Sequence, residues 1–196
     1  MTAHENDGVP PEFAAASAQL AAGPMRSDLR VRSITSPTGI APYSVAFAAE
    51  VLPLDADDTS AHGAGRFVYL YDPEGQDGWG GTSRVVCFAQ APLEGDISTD
   101  PFLADVAWSW LTDALASREV EYTRASGTAT RILAKGFGEL AGEQDTAHVE
   151  LRASWSPAPG NIGGHIEAWG ELLAMLAGLP PREGATSLDA RRRERG

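Results

Sequence analysis

The sequence predicts an α+β fold: an antiparallel sheet of about six strands with helices packed on one face, in the order α-β-β-β-β-α-β-β-α. Three observations carry this. From Leu29 to Ala91 apolar and polar residues alternate and are interrupted by Pro, Gly and Asp clusters, the texture of strands joined by turns. The segments that follow Asp100 and begin at Ile162 instead repeat their apolar residues at helical spacing. Consecutive strand candidates are linked by short connections, which favours antiparallel pairing.

Residues 1–9 are polar without periodicity and are expected to be mobile, residues 10–182 to form one α+β domain, and residues 183–196 a flexible Arg-rich tail. Pro10 and Pro11 open a first helix that ends before Gly23 and Pro24, because proline in a first turn gives up only an N–H that has no partner there. Four strand candidates follow, Leu29 to Ile34, Pro42 to Leu52, Arg66 to Asp72 and Thr82 to Ala91. The second places Tyr43, Val45, Phe47 and Val51 on one face. The third is apolar on both faces, which predicts a central position.

Asp100 and Pro101 read as N-cap and first residue of a second helix, whose apolar stripe comprises Leu103, Val106, Ala107, Trp110, Leu111, Ala114 and Leu115. Two more strands run from Tyr122 to Leu133 and from Thr146 to Trp155. In the latter, Val149, Leu151, Ala153 and Trp155 face one way and His148, Glu150, Arg152 and Ser154 the other. In the former, Ala125, Gly127 and Ala129 are small enough for a helix to approach. Arg131 falls in phase with them, so it is expected to be partnered in the core or to sit at a bulge. A last helix, from about Ile162 to Ala177, stops at Gly178.

At 196 residues the chain is long enough to bury a core without staples, and its single cysteine, Cys87, excludes an internal disulfide and a Cys-based zinc site. The beginning of the chain lacks the features of a signal peptide and no apolar run spans a bilayer, so a cytoplasmic protein with no membrane partner is expected. Net charge is −12. Because the last fifteen residues hold five arginines against Glu183, Asp189 and Glu194, the body carries about −14. Such a body repels phosphate backbones, so nucleic acid is not expected as a partner of the folded part.

Several stretches carry a resemblance: Tyr71-Asp72-Pro73-Glu74-Gly75-Gln76-Asp77-Gly78-Trp79-Gly80-Gly81-Thr82-Ser83-Arg84-Val85-Val86, Trp108 to Leu115, Ala125 to Arg131, Glu150 to Ser156 and His165-Ile166-Glu167-Ala168-Trp169. Together they resemble an actinobacterial family known as domain of unknown function 3000, over roughly residues 10 to 182. The resemblance implies a bacterial cytoplasmic setting and transfers no activity or catalytic residue. The order of elements is also similar to that of small acidic type III secretion chaperones and YbjN-like proteins, a topological likeness that points to binding of another polypeptide.

No complete catalytic, cofactor-binding or metal-binding constellation emerges. The glycines around Trp79 are followed by a strand rather than a helix, so they read as a hairpin connection and not as a phosphate loop. His165 and Glu167 imitate a zinc deaminase motif whose paired cysteines are missing, and are expected to decorate the first turns of the last helix. Asp55, Asp57 and Asp58 begin like a calcium loop but have Ser60 and Arg66 where glycine and glutamate are required. Glu167 and Glu171, like Asp105 and Asp113, read as exposed helix faces, and Cys87 as a buried inert thiol.

What remains is a surface. Arg124, Ser126, Thr128 and Thr130 beside His148, Glu150 and Arg152 would form a hydrogen-bonding sheet face of mixed charge if their strands pair. With Trp79 and the aromatic meander of Tyr43, Phe47, Tyr69 and Tyr71, this face suggests a non-enzymatic binding or adaptor module. Its partner would be another protein or a second copy of itself. The competing expectation is a small-molecule or enzymatic pocket between sheet and helices, lined by Arg131, His148 or Glu150. A third is an accessory to an RNA-processing machine, acting through a protein contact or through the Arg-rich tail of residues 183–196, whose basic tip is Arg191 to Arg195.

Overall fold

A computed structural model describes residues 8–53, 62–93, 101–141 and 145–180. The elements follow the expected order: α1 (Pro11–Ala22), β1 (Leu29–Ile34), β2 (Tyr43–Val51), β3 (Ala64–Tyr71), β4 (Ser83–Leu93), α2 (Leu103–Ser117), β5 (Tyr122–Ala134), β6 (Thr146–Pro157) and α3 (Gly163–Leu176). A 3-10 turn, Gly138–Leu140, lies between β5 and β6. All pairings are antiparallel, and the sheet order is β1-β2-β3-β4-β6-β5. The first four strands form a meander. The chain then crosses by α2 to the far edge and comes back, so β6 is inserted between β4 and β5.

Alternation along each strand divides the sheet into two faces. One face presents Phe47, Ala49, Val51, Phe67, Tyr69, Val85, Cys87, Ala89, Val149, Leu151 and Trp155, all buried. The helices cover this side, and α3 is buried on nearly every side because α1 and α2 flank it. The aromatic meander belongs here too. Phe13 of α1 lies 5.5 Å from the ring of Tyr43 and 6.2 Å from those of Tyr69 and Tyr71. These rings are core-packing residues, which corrects the expectation that they form a partner surface.

Two glycines let helices approach the sheet. A side chain on Gly127 would stand 2.6 Å from Trp108 of α2, as the small residues of β5 suggest. At Gly65 an added Cβ would lie 2.7 Å from the Phe88 carbonyl oxygen and 2.8 Å from the Trp169 ring. Through that gap the Trp169 indole Nε1 donates to the Phe88 carbonyl at 3.1 Å. Gly65→Ala is therefore expected to cost about 1–3 kcal/mol of overpacking, read as a lower urea midpoint with altered tryptophan fluorescence. An unchanged midpoint would show that the sheet yields at this point.

Some local expectations are corrected. The second helix opens at Leu103 with Phe102 as N-cap and no side-chain cap, while Asp100 lies outside the described residues. Arg131 is exposed and the register of β5 is continuous past it; the irregularity lies between Thr123 and Ser126 instead. His165 does not decorate a surface but is 1% exposed, and Glu171 is 3% exposed rather than part of an exposed helix face. Asp55 to Thr59, the tail from residue 183 and residues 1–7 are outside the described residues.

Candidate functional site

Among the described residues no helix covers the other face of the sheet. Its strands meet in register, so its side chains form rows across the sheet. One row runs Ile34, Ala46, Val68, Val86, Ser154, Ser126. The next runs Arg32, Ala48, Arg66, Phe88, Arg152, Thr128, and a third Arg30, Glu50, Ala64, Gln90, Glu150, Thr130. At one end the Asp72–Thr82 connection closes the face. Gly75, Gly78 and Gly80 adopt positive φ there, as a hairpin connection requires, and Ser156 Oγ donates to the Trp79 carbonyl at 2.6 Å.

Arg84 stands at this closed end. Its guanidinium donates to Ser154 Oγ at 2.6 Å, to Ser156 Oγ at 3.1 Å and to the Arg124 carbonyl at 3.0 Å. Burial, and then the charge of Arg124, push its pKa below the usual arginine value. Arg124 occupies the β5 irregularity with φ +53° and donates to the Gly78 carbonyl at 3.4 Å. It is thus a strut for the connection.

Beyond that end the face is open among the described residues. A depression of about 450 Å³ is lined by Arg66, Val68, Val86, Phe88, Thr128 and Arg152, among others. A second, of about 780 Å³, is lined by Arg32, Ser33, Ile34, Thr35, Ala48 and Arg66. The two share Arg66 and together trace the row from Arg32 to Arg152. The Arg152 guanidinium carbon lies 5.0 Å from the centre of the Phe88 ring, and its Nη2 is 3.3 Å from Glu150. Arg66 is exposed and its side chain has no ion pair or hydrogen bond among the described residues.

Of the residues singled out by sequence, Ser126, Thr128, Glu150 and Arg152 share this face, joined by the pairings Ser126 with Ser154, Thr128 with Arg152 and Thr130 with Glu150. His148 lies on the same side, opposite Ile132, near the end remote from Trp79. Trp79 contributes its backbone, and Arg124 the strut. Arg131 pairs with Val149 and so stands on the helix side, which separates it from His148 and Glu150; these three do not line one pocket. Sequence reasoning missed Arg32, Arg66, Arg84 and Phe88. The alternation of β3 and β4 contains the signal, since Arg66, Arg84, Val86 and Phe88 are out of phase with the core residues Phe67, Tyr69, Val85, Cys87 and Ala89.

Two reactive side chains lie on the covered side. Burial pushes the Cys87 thiol up to about 12, so it stays protonated, in line with an inert thiol. His165 accepts a hydrogen bond at Nδ1 from Trp155 Nε1 at 3.1 Å. Among the described residues no cluster of three or more His, Cys, Asp or Glu side chains has the geometry of a metal site. No helix among them is long and apolar enough to cross a membrane.

The model of a family described as Protein of unknown function (DUF3000) matches residues 9–186. The chain belongs to that family. The DUF3000 match extends from just before α1 to beyond α3, so the helix-free face lies entirely within the span of the family. No curated protein and no solved structure matches the chain.

Proposed function

We propose that the protein is a non-enzymatic polypeptide-binding module of the bacterial cytoplasm, and that its docking surface is the helix-free face of the sheet. The observation that carries this reading is the open groove from Arg32 to Arg152, floored by Ala48, Val68, Val86 and Phe88. A sheet face with apolar residues at its centre and charged residues around them has the make-up of a protein interface. Val86 is 41% exposed there, although it lies on the central strand β4. Shallow and open, the groove suits a chain segment better than an enclosed small molecule.

Site-specific photo-crosslinking in the native cytoplasm tests this. A crosslinker at Val86 or Phe88 is expected to trap the same polypeptide, one at exposed Glu12 on α1 is not, and Phe88→Ala should release that polypeptide while leaving the circular dichroism spectrum unchanged. Equal trapping from α1 and from the sheet would sink the reading.

A further inference from the structure

We infer that the occupant of this groove is an extended acidic segment of a partner polypeptide, with carboxylates at every third residue, laid across the strands from Arg32 through Arg66 to Arg152. The inference rests on the docking-surface reading and names what docks.

Charge is the first argument. In a chain of net charge −12, the strand rows of the helix-free face set Arg30, Arg32, Arg66, Arg84 and Arg152 against Glu50 and Glu150 among the described residues. On the helix side Arg26 and Arg118 are committed to the buried Glu171. On the groove itself Arg66 is unengaged among the described residues, and Arg32 reaches Glu50 only at 4.0 Å with both side chains exposed. Exposed pairs of that kind hold little energy, so a ligand carboxylate can replace Glu50. Arg152 is held over Phe88, which orients a cation before any ligand arrives.

Spacing is the second. Arg32, Arg66 and Arg152 occupy one row on every second strand, and strands lie about 4.8 Å apart, so successive arginines are set about 9.6 Å apart at the backbone. A polyproline II segment rises about 3.1 Å per residue with three residues per turn, returning a side chain to the same side every 9.3 Å or so. Carboxylates at three-residue intervals therefore meet successive arginines. The residue after each carboxylate can turn toward the Val68 and Val86 row.

Width is the third. Glu50 and Glu150 lie one row away along the strands, about 6.7 Å from the arginine row. An α-helix with its side chains is roughly 10–12 Å across and would press its acidic face onto those glutamates. An extended chain avoids them. A broad polyanion meets the same repulsion.

The test uses the full chain and a fluorescein-labelled peptide of four Glu-Val-Pro triplets, whose prolines hold the extended form. Three comparison probes are its lysine counterpart, a peptide of equal composition with the glutamates consecutive, and a twelve-nucleotide oligothymidylate. Fluorescence anisotropy is expected to show binding of the triplet peptide that weakens as salt rises. Arg66→Glu should weaken it at least tenfold. The consecutive-glutamate peptide should bind several-fold more weakly and the lysine peptide not at all. Arg66 is exposed, so the variant should keep the wild-type circular dichroism spectrum, and Arg66→Ala gives an intermediate loss.

No binding of the triplet peptide, or equal binding of both glutamate peptides, overturns the inference. So does tighter binding of the oligothymidylate, which would make nucleic acid the occupant. Failure of this kind with selective crosslinking still present at Val86 leaves the docking surface standing with a different partner. Loss of both removes the surface as well.

Discussion

Glu171→Ala is expected to lower the unfolding free energy by roughly 3–5 kcal/mol, the range for removing one partner of a buried ion pair. Arg26 Nη1 lies 2.8 Å from Glu171 Oε1, and both side chains are buried. Arg118 approaches the other carboxylate oxygen at 3.4 Å. Arg26 also contacts Asp28 at 2.6 Å and donates to the Pro180 carbonyl at 3.0 Å. One carboxylate on α3 thus ties together the segment before β1, the end of α2 and the chain beyond α3. Its hydrogen bond to Asp28 first, and then the charge of Glu171, hold the Arg26 guanidinium above its usual pKa against the opposing effect of burial. Without Glu171 a buried cation keeps only part of its compensation. Glu167 touches Arg118 at 3.5 Å but is more exposed, so Glu167→Ala should cost no more than about 1 kcal/mol. Urea denaturation of both variants measures the difference; equal and small losses would show that Asp28 and Glu167 suffice to hold the two arginines.

Acid should destabilise the protein through His165 in a defined window. Burial lowers its pKa from 6.5 to about 4 in the folded state. The folded form therefore disfavours the proton that the unfolded chain takes up below about pH 6.5. By linkage, the stability present above that pH falls as pH drops and levels off once the folded state also protonates, near pH 4. This single group removes about 2 kcal/mol by pH 5 and about 3 kcal/mol in full. Geometry agrees, because protonation would put a hydrogen on Nδ1, where the Trp155 indole N–H already donates. His165→Gln, which keeps an acceptor but cannot titrate in this range, should flatten that part of the stability profile. A wild-type curve parallel to that of the variant between pH 7 and pH 5 would contradict the assignment. Neither His165 nor Glu171 takes part in the proposed docking face, so these experiments test the scaffold independently of binding.

Much of this architecture is legible in sequence, and the reason is local. The alternation in Thr146–Pro157 states which residues of β6 are buried, and the stripe from Ile166 to Leu176 marks α3, because each pattern is written within one segment. Gly127 announces a close approach, and Trp108 makes it. Glu171 and His165 were misread for a matching reason. A polar side chain on an otherwise apolar helix reads as exposed unless its partners are known, and these partners lie 145 residues away at Arg26 and 10 residues away at Trp155.

By itself, then, the sequence determined the order of the elements, the antiparallel α+β class and the apolar side of most strands, since short-range periodicity decides all three. Tertiary structure alone decided that β6 enters between β4 and β5, and that Arg32, Arg66, Phe88 and Arg152 align in one row. Those outcomes depend on register between segments far apart in the chain. A strand encodes which side chains share its own face; which residues of other strands stand beside them is settled only when the backbones pair.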